Sequence, residues 1–135
     1  DIEHVLQATR SSNKNERFLA CKRLGLECAE YSEAAWEALA ARVLDPDKDV
    51  RRATAVSLAT VSRPHDDRTV SLLLAAITDR DAAVRAAALR TAAMIDCGAK
   101  SRCSDMWRPA RKEVLSALVA GAVDESEEVR LASAE

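Results

Sequence analysis

Asp45-Pro46-Asp47-Lys48-Asp49-Val50-Arg51 decides the fold, because it returns as Asp79-Arg80-Asp81-Ala82-Ala83-Val84-Arg85 and again as Asp124-Glu125-Ser126-Glu127-Glu128-Val129-Arg130. Each copy reads D-x-[DS]-x-x-V-R. Asp and Ser suit the opening of a helix, where their side chains accept hydrogen bonds from backbone N–H groups that have no partner within the helix. Seven positions before each valine lies an apolar residue (Val43, Ile77, Ala122), and eleven before lies a leucine (Leu39, Leu73, Leu118). These spacings return to one helical face. Downstream, Ala53, Thr54, Ser57, Leu58 and Val61 after Val50, and Ala87, Ala88, Thr91, Ala92 and Ile95 after Val84, do the same. Each unit therefore predicts two amphipathic helices, here A and B, joined by the signature.

Stepping back 34 residues from Val50 reaches Glu16-Arg17, with Val5, Leu19, Ala20 and Leu24 at the matching apolar positions and Ser11 and Asn13 in place of the aspartates. Ser and Asn accept the same helix-opening hydrogen bonds as Asp, so this is a degenerate fourth copy. The register positions are then 16, 50, 84 and 129, two steps of 34 residues and one of 45 that contains an insertion. Helices are expected over 2–10, 15–28, 32–44, 48–62, 67–78, 82–96, 109–123 and 127–135. Grouped in pairs they form repeats over 1–29, 30–63, 64–108 (with the insertion at 96–109) and 109–135, read as one array spanning 1–135.

The pattern resembles the HEAT-repeat family, including the short HEAT-like repeats of phycobilisome lyase-type proteins. The resemblance implies an all-α fold, a HEAT-like α-α superhelix or solenoid of about four antiparallel helix pairs. It also implies that Asp45, Asp79 and Asp124 sit in the A–B turns and that Arg51, Arg85 and Arg130 begin the B helices. Those six residues are expected to form a structural ladder between repeats, a carboxylate at a helix N-terminus bridged by a guanidinium fork. The first helix opens at Asp1 without a leading cap, and five residues follow Arg130. A solenoid covers its ends with polar faces, so the chain is expected to be a fragment of a longer array.

Composition narrows the function. Hydrophobic residues make up 48% of the 135, enough for a core, while aromatics at 3% favour helices over sheets. The 20 basic and 22 acidic residues leave a net charge of −2, and by repeat the charge runs +1, −1, +1 and −3. No basic stripe accumulates, and a duplex-binding surface needs one. No apolar stretch approaches the ~20 residues that span a bilayer. Four cysteines in helical surroundings suit a reducing, intracellular and cytoplasmic setting better than a disulfide scaffold.

Helical geometry indicates the surface a partner would meet. With the repeat valine position as zero, positions +2, +5, +6 and +9 are expected to point away from the core: Phe18, Cys21, Lys22 and Gly25; Arg52, Ala55, Val56 and Ala59; Ala86, Leu89, Arg90 and Ala93. This row of small apolar residues with cationic anchors reads either as a concave binding groove or as crowding between close-packed helices. Candidate partner contacts are Phe18, Lys22, Arg52, Val56, Leu89 and Arg90. Trp107 joins them from the 96–109 loop, unless it folds back over a helix edge.

Chemistry-bearing residues are sparse. Cys97 and Cys103 have five residues between them and no accompanying histidine, and Cys21 and Cys28 are ~10 Å apart along one helix. No metal or other cofactor is expected. His4 and His65 stand alone near helix ends, without the His-Glu pairs of the diiron enzymes built on HEAT-like repeats. The expected function is a non-catalytic scaffold binding a protein partner through the concave B-helix face and the 96–109 loop. A nucleic-acid-binding segment using the arginines, and a lyase- or chaperone-associated role resting on the resemblance alone, stand beside it.

Overall fold

The computed structural model describes residues 2–27, 32–63, 66–96 and 112–134. Among these the chain forms eight α-helices and no strand: α1 (Ile2–Ala8), α2 (Lys14–Glu27), α3 (Glu33–Ala40), α4 (Lys48–Val61), α5 (Asp67–Ala76), α6 (Ala82–Asp96), α7 (Lys112–Gly121) and α8 (Glu127–Ala134). The fold is all-α and built of HEAT-like helix pairs. Contacts divide it into two compact units, residues 1–62 and 63–135, each holding two pairs.

Turn chemistry sets the helix boundaries. Asp47 caps α4, accepting from the N–H groups of Asp49 and Val50, and Asp66 caps α5 in the same way through Arg68 and Thr69. Ser32 accepts from Ala35 at the start of α3. Such a cap contributes about 1 kcal/mol. The A helices end sooner than their apolar periodicity implies: α3 stops at Ala40 and α5 at Ala76. At each exit the ladder residue's N–H, that of Ser11, Asp45, Asp79 or Asp124, donates to the carbonyl three residues back. This tightening to i−3 bonds satisfies the last carbonyls while swinging the chain into the turn.

In the first unit α2 packs along α4, with α1 and α3 on their outer sides. Val5, Ala20, Leu24, Leu39, Val50, Leu58 and Val61 are buried as the repeat predicts, and Ala35 joins them. Each buried Leu or Val contributes about 2 kcal/mol by leaving water. Leu19 departs from the pattern at 57% exposure. It lies about 160° around α2 from Cys21, the side that meets α4, so it cannot share that contact. The α2–α4 seam is made of small residues. Ser57 Oγ donates to the Cys21 carbonyl at 2.8 Å, Thr54 Oγ1 lies 3.5 Å from Cys21 Sγ, and a Cβ on Gly25 would stand 2.5 Å from Ser57 Oγ and 3.1 Å from Ser57 Cα. Only glycine permits this approach.

In the second unit α6 packs along α8, flanked by α5 and α7. Ala86, Leu89, Ala117, Val129 and Ala132 form one cluster of its core, with Leu74, Ile77, Ala82 and Leu118 packed against it. A Cβ on Gly121 would meet Leu89 Cδ2 at 2.6 Å, so α7 also relies on a glycine to approach α6.

Candidate functional site

The ladder comes first, because it decides which B-helix face remains for a partner. In all four repeats the arginine after the repeat valine position turns back on its own A–B turn. Nη1 of Arg17, Arg51, Arg85 and Arg130 donates to the backbone carbonyl six residues earlier, on Ser11, Asp45, Asp79 and Asp124, at 2.7–3.0 Å. The other edge of the guanidinium reaches the next repeat. Arg17 Nε and Nη2 donate to Asp45 Oδ2 and Oδ1 at 2.8 and 3.2 Å, and Arg85 does the same to Asp124 at 3.2 and 3.1 Å. Each carboxylate is aimed by a backbone bond, Asp47 N–H donating to Asp45 and Ser126 N–H to Asp124. Asp79 accepts from Asp81 N–H in the same manner. The six ladder residues thus sit in the turns and at the B-helix starts, and Arg17 supplies a rung that its degenerate repeat concealed.

Electrostatics follow the geometry. Burial alone would push the Asp45 carboxyl up, but the Arg17 hydrogen bonds, the Asp47 N–H and the charges of Arg17 and Arg42 hold it below its usual 3.8. Asp124 is also held low, first by the Ser126 N–H and then by Arg85. The paired Arg17 and Arg85 guanidiniums are pushed higher in turn, chiefly by these carboxylates. These are structural ion pairs, each acid held by a guanidinium fork and a backbone N–H. Burial raises the Cys21 thiol, a free cysteine packed in the α2–α4 seam.

The expected outward row needs correction. Position +5 faces the neighbouring B helix rather than solvent in the seams described: Cys21 is fully buried against α4, and Leu89, 2% exposed, is core between α6 and α8. Ala55, Ala59 and Ala86 are buried as well. Crowding explains these residues, and Leu89 leaves the candidate binding set. Position +6 does stay exposed, at Lys22, Val56 and Arg90, as does Arg52 at +2, while Phe18 is half-buried. Lys22 Nζ lies 5.6 Å above the Phe18 ring, which holds the ammonium over an aromatic face. Arg52 is 3.7 Å from Asp49 on its own helix and remains open to solvent. Trp107, Cys97 and Cys103, with the 96–109 loop beyond Asp96, and Cys28 and His65 lie outside the described residues, and His4 is exposed on α1.

The first unit also carries a groove that no repeat position announced. It encloses about 510 Å3 between α1 and α3, and its charged lining alternates in sign through Glu3, Arg10, Glu37 and Arg42. Among the described residues no group of three His, Cys, Asp or Glu could hold a metal ion, and no helix is long and apolar enough to cross a membrane.

Comparison with known families matches residues 2–91, two thirds of the chain, to HEAT repeats. No curated protein matches the chain. The matched span ends on α6, yet the fourth pair keeps the same Arg–Asp rung and the same buried valine, Val129. HEAT repeats commonly serve as protein-interaction scaffolds and are generally non-catalytic. By its matched repeats and the turn-to-turn ladder that joins them, the chain belongs to the HEAT-repeat family.

Proposed function

We propose that this chain is a non-catalytic scaffold that binds a protein partner along the exposed +2 and +6 positions of its B helices. The reading is carried by what remains at those positions once the seams are filled: Lys22 over Phe18 on α2, and Arg52 beside a 55%-exposed Val56 on α4, two helices packed directly together. Cations interleaved with apolar surface suit a partner segment that carries carboxylates around an apolar side chain. Arg90 offers the equivalent contact on α6, and Trp107 in the 96–109 loop supplies a further anchor. The setting is intracellular and reducing, in keeping with a buried free thiol at Cys21.

The test is affinity capture with the native chain beside Lys22→Glu/Arg52→Glu and Val56→Asp. A protein held by the native chain and lost from both variants, whose melting temperatures stay within about 2 °C of native, supports the reading. Capture unaffected by either variant overturns it. So does salt-sensitive binding of a duplex oligonucleotide that the charge-reversed variant loses, which would instead make this a nucleic-acid-binding face.

A further inference from the structure

We infer that the groove between α1 and α3 is a docking site for an extended segment of a partner protein, one that carries an acidic and a basic side chain two residues apart. The size of the groove, the order of its charges and the uncharged residues at matching positions of the second unit converge on this occupant.

Small side chains make the space. Ala34, Ala38 and Ala41 recur at i, i+4 and i+7 along α3 and its exit, one stripe that lines the groove opposite Leu6 and Gln7 of α1. The volume left between them, about 510 Å3, is that of a ligand site. Thr9 is buried along it, and Leu6, Ala38 and Arg42 are half-buried.

Charge gives the groove a direction. The Arg17–Asp45 rung joins the two A–B turns, so α1 and α3 run the same way and end side by side. Arg10 and Arg42 therefore stand at one end, and Glu3 and Glu37 lie toward the other, Glu37 about 7.5 Å from Arg42 along the helix axis. The cationic end has donors to spare. Asp45 is already gripped by Arg17 and takes only Nη1 of Arg42, at 3.3 Å, while Arg42 Nε is buried without a partner. Among the described residues, no hydrogen bond or ion pair engages the side chains of Gln7, Arg10 or Glu37. A carboxylate set between Arg10 and Arg42 complements that excess. Two residues further along an extended chain, about 6.7 Å away and on the same face, a Lys or Arg meets Glu37. The Gln7 amide offers a donor and an acceptor to the peptide backbone between them.

Helix-pair stacking does not require these charges. At the position of Glu3 and Glu37, α5 and α7 carry Ser71 and Ser116. At that of Arg42 stand Ala76 and Gly121, and at that of Arg10 stand Thr78 and Val123. The second unit forms its helix pairs and its rung without them. The four charges thus belong to the groove and not to the repeat.

The test is fluorescence anisotropy of two labelled, end-capped pentapeptides, Ala-Asp-Ala-Lys-Ala and Ala-Lys-Ala-Asp-Ala, titrated with the full chain. They present the same charges in the two chain directions, and at least one should bind saturably below about 1 mM. Arg10→Glu and Glu37→Lys should each weaken that binding about tenfold or more. Ala38→Leu, which fills the groove and leaves its charges, should do the same with a melting temperature within about 2 °C of native. Ala41→Leu, on the exposed rim, repeats the measurement if Ala38→Leu disturbs packing. No binding of either peptide, or binding that Arg10→Glu and the groove-filling variants leave unchanged, overturns the proposal. Equal affinity for a lysine-free Ala-Asp-Ala-Ala-Ala overturns it too, because the arginines would then be a general anion site. None of these residues lies on the B-helix face, so the proposed function and this site can fail separately.

Discussion

Two rungs of the ladder, Arg17–Asp45 and Arg85–Asp124, repeat one geometry in different surroundings. Arg17–Asp45 in the first unit has side chains 11% and 0% exposed, and a second guanidinium, Arg42, lies 3.3 Å from the same carboxylate. Arg85–Asp124 in the second unit leaves 14% and 19% of its side chains exposed and, among the described residues, has no second cation in contact. The sequence separation also differs, 28 residues for the first rung and 39 for the second, so the extra residues are accommodated without disturbing the turn-to-turn contact. The fork is set by the local turn and the repeat stacking, while the surroundings decide how much each rung matters. A buried carboxylate stripped from two guanidiniums leaves both uncompensated, whereas a partly solvated one lets water take its place.

Removing each carboxylate should expose that difference most strongly. Asp45→Ala is expected to destabilise the chain by about 3 kcal/mol in chemical denaturation. Asp124→Ala should move the denaturation midpoint less than half as far. Equal shifts would mean that burial does not govern the rungs.

The two close-approach glycines extend the comparison. Gly25→Ala drives a methyl into the Ser57 side chain and to within 3.1 Å of its backbone, and should cost about 2 kcal/mol. Gly121→Ala meets the movable tip of Leu89 first, and about 1 kcal/mol is expected. Pairing Gly121→Ala with Leu89→Val should recover part of the loss, while Gly25→Ala with Ser57→Ala should recover less, since the backbone contact remains.

Acid titration separates the rungs further. Both aspartates have folded pKa values below the ordinary 3.8, so their contribution is complete above that value and is lost as pH falls through the depressed one. Denaturation midpoints measured from pH 6 down to pH 3 should therefore fall, and Asp45→Asn should flatten that fall more than Asp124→Asn. The smallest effect belongs to the surface: Val56→Ser and Arg52→Ala should each change stability by less than about 0.5 kcal/mol, and a larger loss would place them in the packing instead of on a free face.

Much of the fold was legible in the letters because a helix opening tolerates few side chains. Asp47 of the signature holds a cap, and the valines at 50, 84 and 129 are buried, since cap chemistry and the period of apolar residues are local. The candidate site was legible only in part. Lys22, Val56, Arg90 and Arg52 are exposed as helical geometry implied, but Cys21, Ala55, Ala86 and Leu89 shared their apparent face and are buried. A helix of alanines shows no polar side to orient it, so periodicity cannot separate a surface facing water from one facing another helix of the same composition.

By itself the sequence determined that four pairs of helices form, where each B helix starts, and which residues of the three clear copies can serve as rungs, because hydrogen-bond capping and 3.6-residue periodicity act over a few neighbours. Only the tertiary structure decided that each described rung runs from one repeat's arginine to the following repeat's aspartate, that Gly25 admits α4, and that Leu89 is core. Those outcomes depend on how closely two helices approach, and that distance is set jointly by side chains on both of them, in segments tens of residues apart in the chain.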